Sequence, residues 1–308
     1  MAATGRTRRR SDVKPAPFAF VRPQGLQHAL EALAADRGAK VLAGGQSLVP
    51  LLSMRLAAPT TLVDINALPD LDHVRVASDG GRAGVRIGAL ARHADVLASP
   101  DVRRVQPLLS LALACVAHAT IRNRGTSVGS IVHADAAAEL PMVLTLLGGS
   151  VTVASIAGTR TIAAADLFAG PLESSLRHDE IALEAFFPAL ERGEGVAFEE
   201  IARRHGDYAL CGVGAVVRLD GDRIVSARAG YLSVCDVPTV VDLTEALEGE
   251  VSTGSTDAAG ELALESLDPA DDLHATAAYR AQLVRVLTAR VLRTAYADAR
   301  SRAGAGDA

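Results

Sequence analysis

Two short glycine-bearing stretches constrain this chain more than anything else in it. Ala43-Gly44-Gly45-Gln46-Ser47 lies between a strand-like run, KVLAG, and a helix-like run that opens at Leu48, LVPLLSMRLA. Gly125-Thr126-Ser127-Val128-Gly129-Ser130 lies about eighty residues further on, in a segment rich in Gly, Ser and Thr. Glycines between a strand and a helix let backbone come close to a ligand, and the N–H groups that open a helix face outward. That is chemistry for an anion, diphosphate above all. A tight strand-to-helix turn with nothing bound has the same sequence, so the first loop alone leaves both readings open. A second such loop favours a dinucleotide.

Competing motifs fail. There is no GxxxxGK[ST], so a Walker-type NTPase is excluded. Gly45-Gln46-Ser47-Leu48-Val49 begins like a nucleophile elbow but lacks the closing glycine. Gly212-Val213-Gly214 lacks the third glycine of a dinucleotide-binding fingerprint and reads as a close-packed strand or helix. His133, Asp135 and Glu139 carry metal-ligand atoms at close spacing, yet no histidine stands at i+4, and contacts to a ligand or to backbone suit them better. No acid–base or nucleophilic catalytic residue and no metal ligand is nominated.

Composition narrows the class. The net charge of −5, from 31 Lys plus Arg against 36 Asp plus Glu, argues against a nucleic-acid binder. Aromatics are 3% with no Trp, too few for base-stacking platforms, so the core must be built from Ala, Leu and Val. Cys115, Cys211 and Cys235 stand far apart in apolar runs, so the chain cannot hold an iron–sulfur cluster or a cysteine zinc site of its own. Buried thiols in a reducing compartment fit. The start, with Arg8-Arg9-Arg10 and no apolar run before Pro15, Pro17 and Pro23, reads as a disordered basic arm over 1–16. The uncharged stretch 140–159 contains Pro141 and Gly148-Gly149 and reads as a helix, a stop and a strand, not a membrane span. The expectation is a cytoplasmic protein.

Along the chain, residues 24–66 read α-β-loop-α-β. A strand at 83–90, helices at 91–98 and 105–119, a loop without helical period at 120–135, a helix at 137–147, a strand at 150–154, a short helix near 163–168 and a strand at 181–187 follow. Pro188 and the charged, glycine-bearing 191–195 mark a boundary. Three successive strands come next, the last two joined at Asp220-Gly221-Asp222, then helices at 239–248, 257–266 and 275–299 and a loose tail over 301–308.

AGGQS followed by LVPLLSMRLAAPTTLVDIN, IRNRGTSVGSIVHADAAAELP at 121–141, and GDYA at 206–209 closely resemble the FAD-binding medium subunits of molybdenum hydroxylases, of the carbon-monoxide-dehydrogenase and xanthine-dehydrogenase type. The resemblance runs from about Pro17 to about Arg300. It implies an α+β fold: a vanillyl-alcohol-oxidase-like FAD-binding domain of two α/β subdomains (about 17–71 and 72–190), then a C-terminal domain at 195–300 with a three-stranded antiparallel sheet and helices. It implies FAD bound without a covalent bond. Ala43, Gly44, Gly45, Gln46, Ser47 and Leu48 match the segment whose backbone holds the diphosphate. Gly125, Thr126, Gly129 and Ser130 match the second loop. His133, Asp135 and Glu139 fall on the segment that lines the cofactor, and Tyr208 on a position near its ring. It also implies partners: a large subunit with the molybdenum cofactor, where substrate is oxidised, and a small subunit with two 2Fe–2S clusters, from which electrons reach the flavin and pass to an external acceptor (quinone, NAD or oxygen).

Two residues depart from the family pattern. Val128 stands where the first of two glycines is usual, and a β-branched residue requires ordinary backbone there. Gln46 stands where His is frequent. The alternatives are a stand-alone FAD oxidase or dehydrogenase of the same fold, against which the small, aromatic-poor block 196–300 speaks, and a flavin-free binding or assembly protein that has kept the loops.

Overall fold

The computed structural model describes residues 14–247 and 251–305. Most of the expected basic arm, the end of the expected helix at 239–248 and the last three residues of the expected tail lie outside them.

The chain opens with β1 (Ala19–Val21), α1 (Leu26–Ala35), β2 (Ala39–Leu42), α2 (Leu48–Ser53) and β3 (Thr61–Asp64). The strands form a parallel sheet in the order β1-β3-β2. α1 buries Ala29, Leu30 and Leu33, one stripe of its surface, in a core that includes Val63 and Ile65. This is the α/β unit read from residues 24–66, and it delivers the first glycine loop from the end of β2 to the start of α2.

The second unit contains β4 (Val74–Asp79), β5 (Arg82–Gly88), α3 (His93–Ala98), α4 (Pro100–Val105), α5 (Pro107–Cys115), α6 (Ala119–Arg122), α7 (Ser127–His133), α8 (Glu139–Leu146), β6 (Ser150–Ser155), β7 (Gly158–Ala163), β8 (Phe168–Gly170), β9 (Glu173–Ser174) and β10 (Ile181–Pro188). Five strands make an antiparallel sheet in the order β4-β5-β10-β6-β7. Its core joins Val85, Ile87, Val151 and Phe187 of the sheet to Leu108, Leu113, Leu140 and Met142 of the helices. The helix expected at 105–119 starts at Pro107, because Gln106 breaks away from α4. The buried Gln106 side chain donates to the Pro188 carbonyl at 2.7 Å, and Pro107 is pre-set for the first helical position. The segment 120–135, read as loop, holds α6 and α7. α7 buries Val128 and Ile131 on one side, a pattern too short to show a period amid poor helix formers. The helix expected near 163–168 is a single 3-10 turn, Ala164–Asp166.

The third unit is β11 (Glu194–Ala202), β12 (Ala209–Asp220), β13 (Arg223–Leu232), β14 (Thr239–Asp242), α9 (Thr253–Glu265) and α10 (Ala277–Ala305). The three expected strands are present, and the β12–β13 hairpin turns at Gly221, with φ +59°. The helix expected at 239–248 is instead a fourth strand followed by a 3-10 turn. The β-branched run Thr239-Val240-Val241 pairs with the edge of β13, from Arg228 to Tyr231, and tertiary pairing overrides the helical pattern of the residues after it. α10 also runs through 301–305, where a tail was expected.

The sheet is covered on both faces. α9 and α10 pack on one side, around Val284, Leu287 and Leu292. On the other, α8 enters a groove made by Gly214 and Gly230, which are register partners on β12 and β13. A Cβ on Gly230 would meet Met142 Sδ at 2.6 Å, and one on Gly214 would meet Met142 Cε at 3.0 Å. Small residues let helix and sheet approach closely, which is how a chain with so few aromatics closes its core. Among the described residues no helix is long and apolar enough to cross a membrane.

Candidate functional site

The two glycine loops, distant in sequence, lie against each other. A Cβ on Gly44 would run into backbone of the second loop: the Arg124 carbonyl, the Gly125 Cα at 2.8 Å and the Thr126 nitrogen at 2.9 Å. Only glycine permits that approach. Gly45 has φ +74°, a conformation that suits glycine and turns the chain from β2 into α2.

A polar network fastens the loops together. The Asn66 amide donates to the Ala43 carbonyl at 2.7 Å and to Asp64 Oδ1 at 2.6 Å. The Arg92 guanidinium donates to Asn66 Oδ1 at 2.8 Å and to the Arg124 carbonyl at 2.7 Å. Burial would raise the Asp64 carboxyl, but the hydrogen bonds from Asn66 and the Arg22 guanidinium outweigh it and hold Asp64 below its ordinary value. Beneath the second loop, His93 Nδ1 lies 3.3 Å from Ser127 Oγ, and a Cβ on Gly125 would meet the His93 ring at 2.8 Å. Burial, helped by Arg122, lowers His93 to about 4, so its ring is a neutral support at pH 7.

The cradle between the loops has spare hydrogen-bond donors. No backbone carbonyl or side chain among the described residues receives the N–H groups of Gln46, Ser47 and Leu48, or those of Val128 and Gly129. Thr126 is buried, and its Oγ1 has no partner among the described residues. A buried hydroxyl without a partner costs about 1–3 kcal/mol, so its presence points to a ligand acceptor. Val128 sits inside α7 with ordinary helical backbone and a buried side chain, so the departure from glycine leaves the loop unstrained. Gln46 Nε2 closes the first loop on itself through the Gly44 carbonyl at 3.3 Å.

α7, about 10 Å long at 1.5 Å per residue, carries the chain from Ser130 to the other predicted residues. It ends at His133, whose imidazole burial lowers from its ordinary value against the opposing charge of Asp135. Ala134 then turns in the left-handed region at φ +57°. Asp135 and Tyr208 line one cavity of about 630 Å³, together with Asp207, Ser233 and Arg280. Tyr208 lines this cavity while remaining 66% exposed. Glu139 opens α8. The structure therefore gathers Ala43–Leu48 with Gly125–Ser130 at one end of α7, and His133, Asp135, Glu139 and Tyr208 at the other. A separate groove of about 610 Å³ contains none of these residues. Arg92, Asn66, Asp64 and His93 escaped the sequence reading. The only local hint is that Asn66 and Arg92 each follow a strand by a few residues, where ligand-facing groups of α/β units gather. Among the described residues no three His, Cys, Asp or Glu converge as a metal would require.

Fold and site together define an α+β protein whose facing glycine loops suit an extended, diphosphate-bearing cofactor. Residues 16–190 match the FAD binding domain in molybdopterin dehydrogenase, and residues 196–295 match the CO dehydrogenase flavoprotein C-terminal domain. The chain belongs to this family, the FAD-binding medium subunits of carbon-monoxide- and xanthine-dehydrogenase-type molybdenum hydroxylases. It is 41% identical to the 6-hydroxypseudooxynicotine dehydrogenase complex subunit alpha of Paenarthrobacter nicotinovorans, over 94% of this chain and 97% of that one. It is 39% identical to the nicotine 6-hydroxylase medium subunit of the same organism, over 89% and 95%. Among solved structures, quinoline 2-oxidoreductase from Pseudomonas putida 86 superposes with a TM-score of 0.86 at 34% identity, covering 93% of this chain and 99% of that one.

Proposed function

We propose that this chain is the FAD-binding electron-transfer subunit of a molybdenum-dependent hydroxylase or dehydrogenase. The observation that carries the reading is the pair of abutting glycine loops with open N–H groups and the unpartnered Thr126 hydroxyl between them. Bound there, FAD supplies one property the side chains lack: it accepts electrons singly and releases them in pairs.

The residues do the holding. The backbone of Ala43 to Leu48 receives the diphosphate, with no side chain intervening because Gly44 and Gly45 have none. Thr126, Gly129 and Ser130 complete the cradle from the other loop, and Gly125 lets that loop rest on His93. Arg92 and Asn66 fix the separation of the loops. His133, Asp135 and Glu139 line the cofactor further along, and Tyr208 flanks its ring at the cavity mouth. In domain terms, the subdomains at about 17–71 and 72–190 clasp the cofactor, and 195–300 closes the far end.

Substrate is oxidised elsewhere, at the molybdenum cofactor of a large partner subunit, and electrons arrive through 2Fe–2S clusters of a small partner subunit. Cys115 and Cys211 suit this division: burial pushes each thiol up to about 12, so neither offers a thiolate ligand at pH 7. A cytoplasmic location agrees with these free thiols. Purified protein should show a flavin absorption spectrum, and acid precipitation should release all the flavin as FAD. Flavin that stays with the precipitate would contradict non-covalent binding, and a colourless protein that fails to take up FAD would contradict the whole reading.

A further inference from the structure

The face of the first sheet that turns away from α1 carries an apolar surface with a basic border. Register partners in a parallel ladder point to the same side. Val21, Val63 and Val41 are partners, and Val63 and Val41 belong to the core shared with α1. Phe20, Leu62 and Lys40 are partners one step earlier, so they point away from α1. Leu42 follows Lys40 by two and points the same way. A Cβ on Gly45 would meet both Leu42 Cδ1 and Val49 Cγ2, so α2 lies on this side too.

The entering chain runs beside the segment that leaves α2. Arg55 Nε donates to the Lys14 carbonyl at 3.1 Å, and the Ala19 N–H donates to the Thr60 carbonyl at 2.8 Å. Phe18, Phe20, Val49, Met54 and Leu56 therefore share one surface, and they are 38% to 72% exposed. Two of the six Phe in an aromatic-poor chain stand here against water. Their combined apolar surface is on the order of 400 Å², the size at which a patch marks a contact. It is about half of one side of a standard interface.

Charge selects the occupant. Lys14, Arg22, Lys40 and Arg55 border the patch, and all four are exposed. Asp64, on the same face, is paired with Arg22 at 3.4 Å. Asp36, at the end of the sheet, accepts from the Thr60 and Thr61 hydroxyls at 2.6 and 2.8 Å. Four cations thus stand with two carboxylates, on a chain whose net charge is −5. The sequence ahead of Lys14 adds Arg6, Arg8, Arg9 and Arg10 against Asp12, so its like charge opposes docking on this face. A second copy of the chain, joined face to face, would set basic border against basic border.

We propose that this face docks the small iron–sulfur subunit, through an apolar surface of that partner bordered by Asp and Glu. The proposal rests on the electron-transfer role assigned above. Of the two partner subunits, the one that delivers electrons must lie against the flavin-binding unit. The patch meets that requirement, because it starts at Val49, whose N–H donates to the Gly45 carbonyl at 3.0 Å. A subunit seated on it touches the helix that leaves the first cofactor loop.

The test measures binding of the FAD-loaded chain to the iron–sulfur subunit by calorimetry, and flavin reduction in the three-subunit complex. Phe20→Ser/Leu56→Ser should weaken binding at least about tenfold. Lys40→Glu should weaken it less and flatten its salt dependence. Both variants should keep their flavin and pass electrons from reduced flavin to an artificial acceptor as the wild type does. Ile156→Ser, at an exposed apolar residue of the β6–β7 turn, should bind like the wild type. Binding of Phe20→Ser/Leu56→Ser within about twofold of wild type overturns the proposal. So does a loss confined to the molybdenum subunit, to self-association or to binding of anionic vesicles. If that variant fails to fold, hydrogen exchange of the wild type decides: protection of 18–21 and 49–56 by the iron–sulfur subunit supports the face, and unchanged exchange refutes it. Failure of the electron-transfer reading has a different signature, a wild-type chain that binds no iron–sulfur subunit at all.

Discussion

Replacing Gly45 by valine perturbs the first loop at the point where its geometry is most demanding. Gly45 has φ +74°, and an L-residue forced to the left-handed region costs about 1–2 kcal/mol, with a β-branched side chain at the upper end. A Cβ there would meet Val49 Cγ2 at 3.2 Å and Leu42 Cδ1 at 3.3 Å, closer than ordinary packing. The two methyls of valine add an overpacking penalty of about 1–3 kcal/mol. The sum, about 2–5 kcal/mol, is below the stability of most domains, so the protein should fold and relieve the strain by shifting the loop. If that shift removes backbone N–H groups from the diphosphate, flavin affinity falls by at least about 30-fold. The assay is the flavin-to-protein absorbance ratio after purification, followed by titration of flavin-free protein with FAD. Gly45→Ala, which keeps the φ strain with a smaller clash, should lose roughly tenfold or less. A valine variant that folds and binds FAD within about threefold of wild type would show that this loop does not touch the cofactor.

The buried Thr126 hydroxyl gives a test with opposite signs in the two forms. In flavin-free protein, Thr126→Val removes an unpaired polar atom and should leave stability unchanged or raise it by up to about 1 kcal/mol, while FAD binding should weaken about tenfold. Calorimetric melts with and without FAD check both, and unchanged affinity would mean that the hydroxyl faces no part of the cofactor. A purely structural prediction concerns Glu180, which is 5% exposed. It accepts hydrogen bonds from Arg160 at 2.7 and 2.8 Å, from the Arg177 guanidinium at 3.0 and 2.8 Å, and from the Arg177 N–H at 2.7 Å. Burial alone would raise its carboxyl, but these bonds outweigh it and hold the group at about 2. A depressed folded-state value stabilises above the unfolded value of about 4.3 and loses that effect as pH falls through it toward about 2. Allowing for the half-exposed arginines, Glu180→Gln should cost about 2–3 kcal/mol in denaturant unfolding at pH 7. The difference should vanish as the pH approaches about 2, and a constant difference at all pH values would refute the linkage.

The glycine loops were legible because their chemistry is local: a few residues without Cβ, between a strand and a helix. Their mutual contact was not, because Gly44 and Gly125 are brought together by Arg92 and Asn66, whose own sequence contexts are plain strand ends. β14 was misread because a three-residue β-branched run is a weaker signal than the helix-like residues that follow, until the open edge of β13 decides the matter. α7 was invisible for the opposite reason: its buried apolar stripe is only Val128 and Ile131. The Gly214–Gly230 groove depends on strand register, which one strand's sequence does not contain. Glu200 follows another glutamate in β11, and only the packing around it shields one of its carboxylate oxygens.

The central claim, that this chain passes electrons and does no substrate chemistry, is tested most directly by a turnover assay on the isolated, FAD-loaded chain beside the same chain assembled with an iron–sulfur and a molybdenum subunit. Alone, it should oxidise no N-heterocycle, aldehyde, purine or carbon monoxide, yet it should pass electrons from its reduced flavin to an artificial acceptor. Assembly should give a stable complex that oxidises substrate. Substrate-dependent bleaching of the flavin in the isolated chain would contradict the account and make the protein a self-sufficient oxidase.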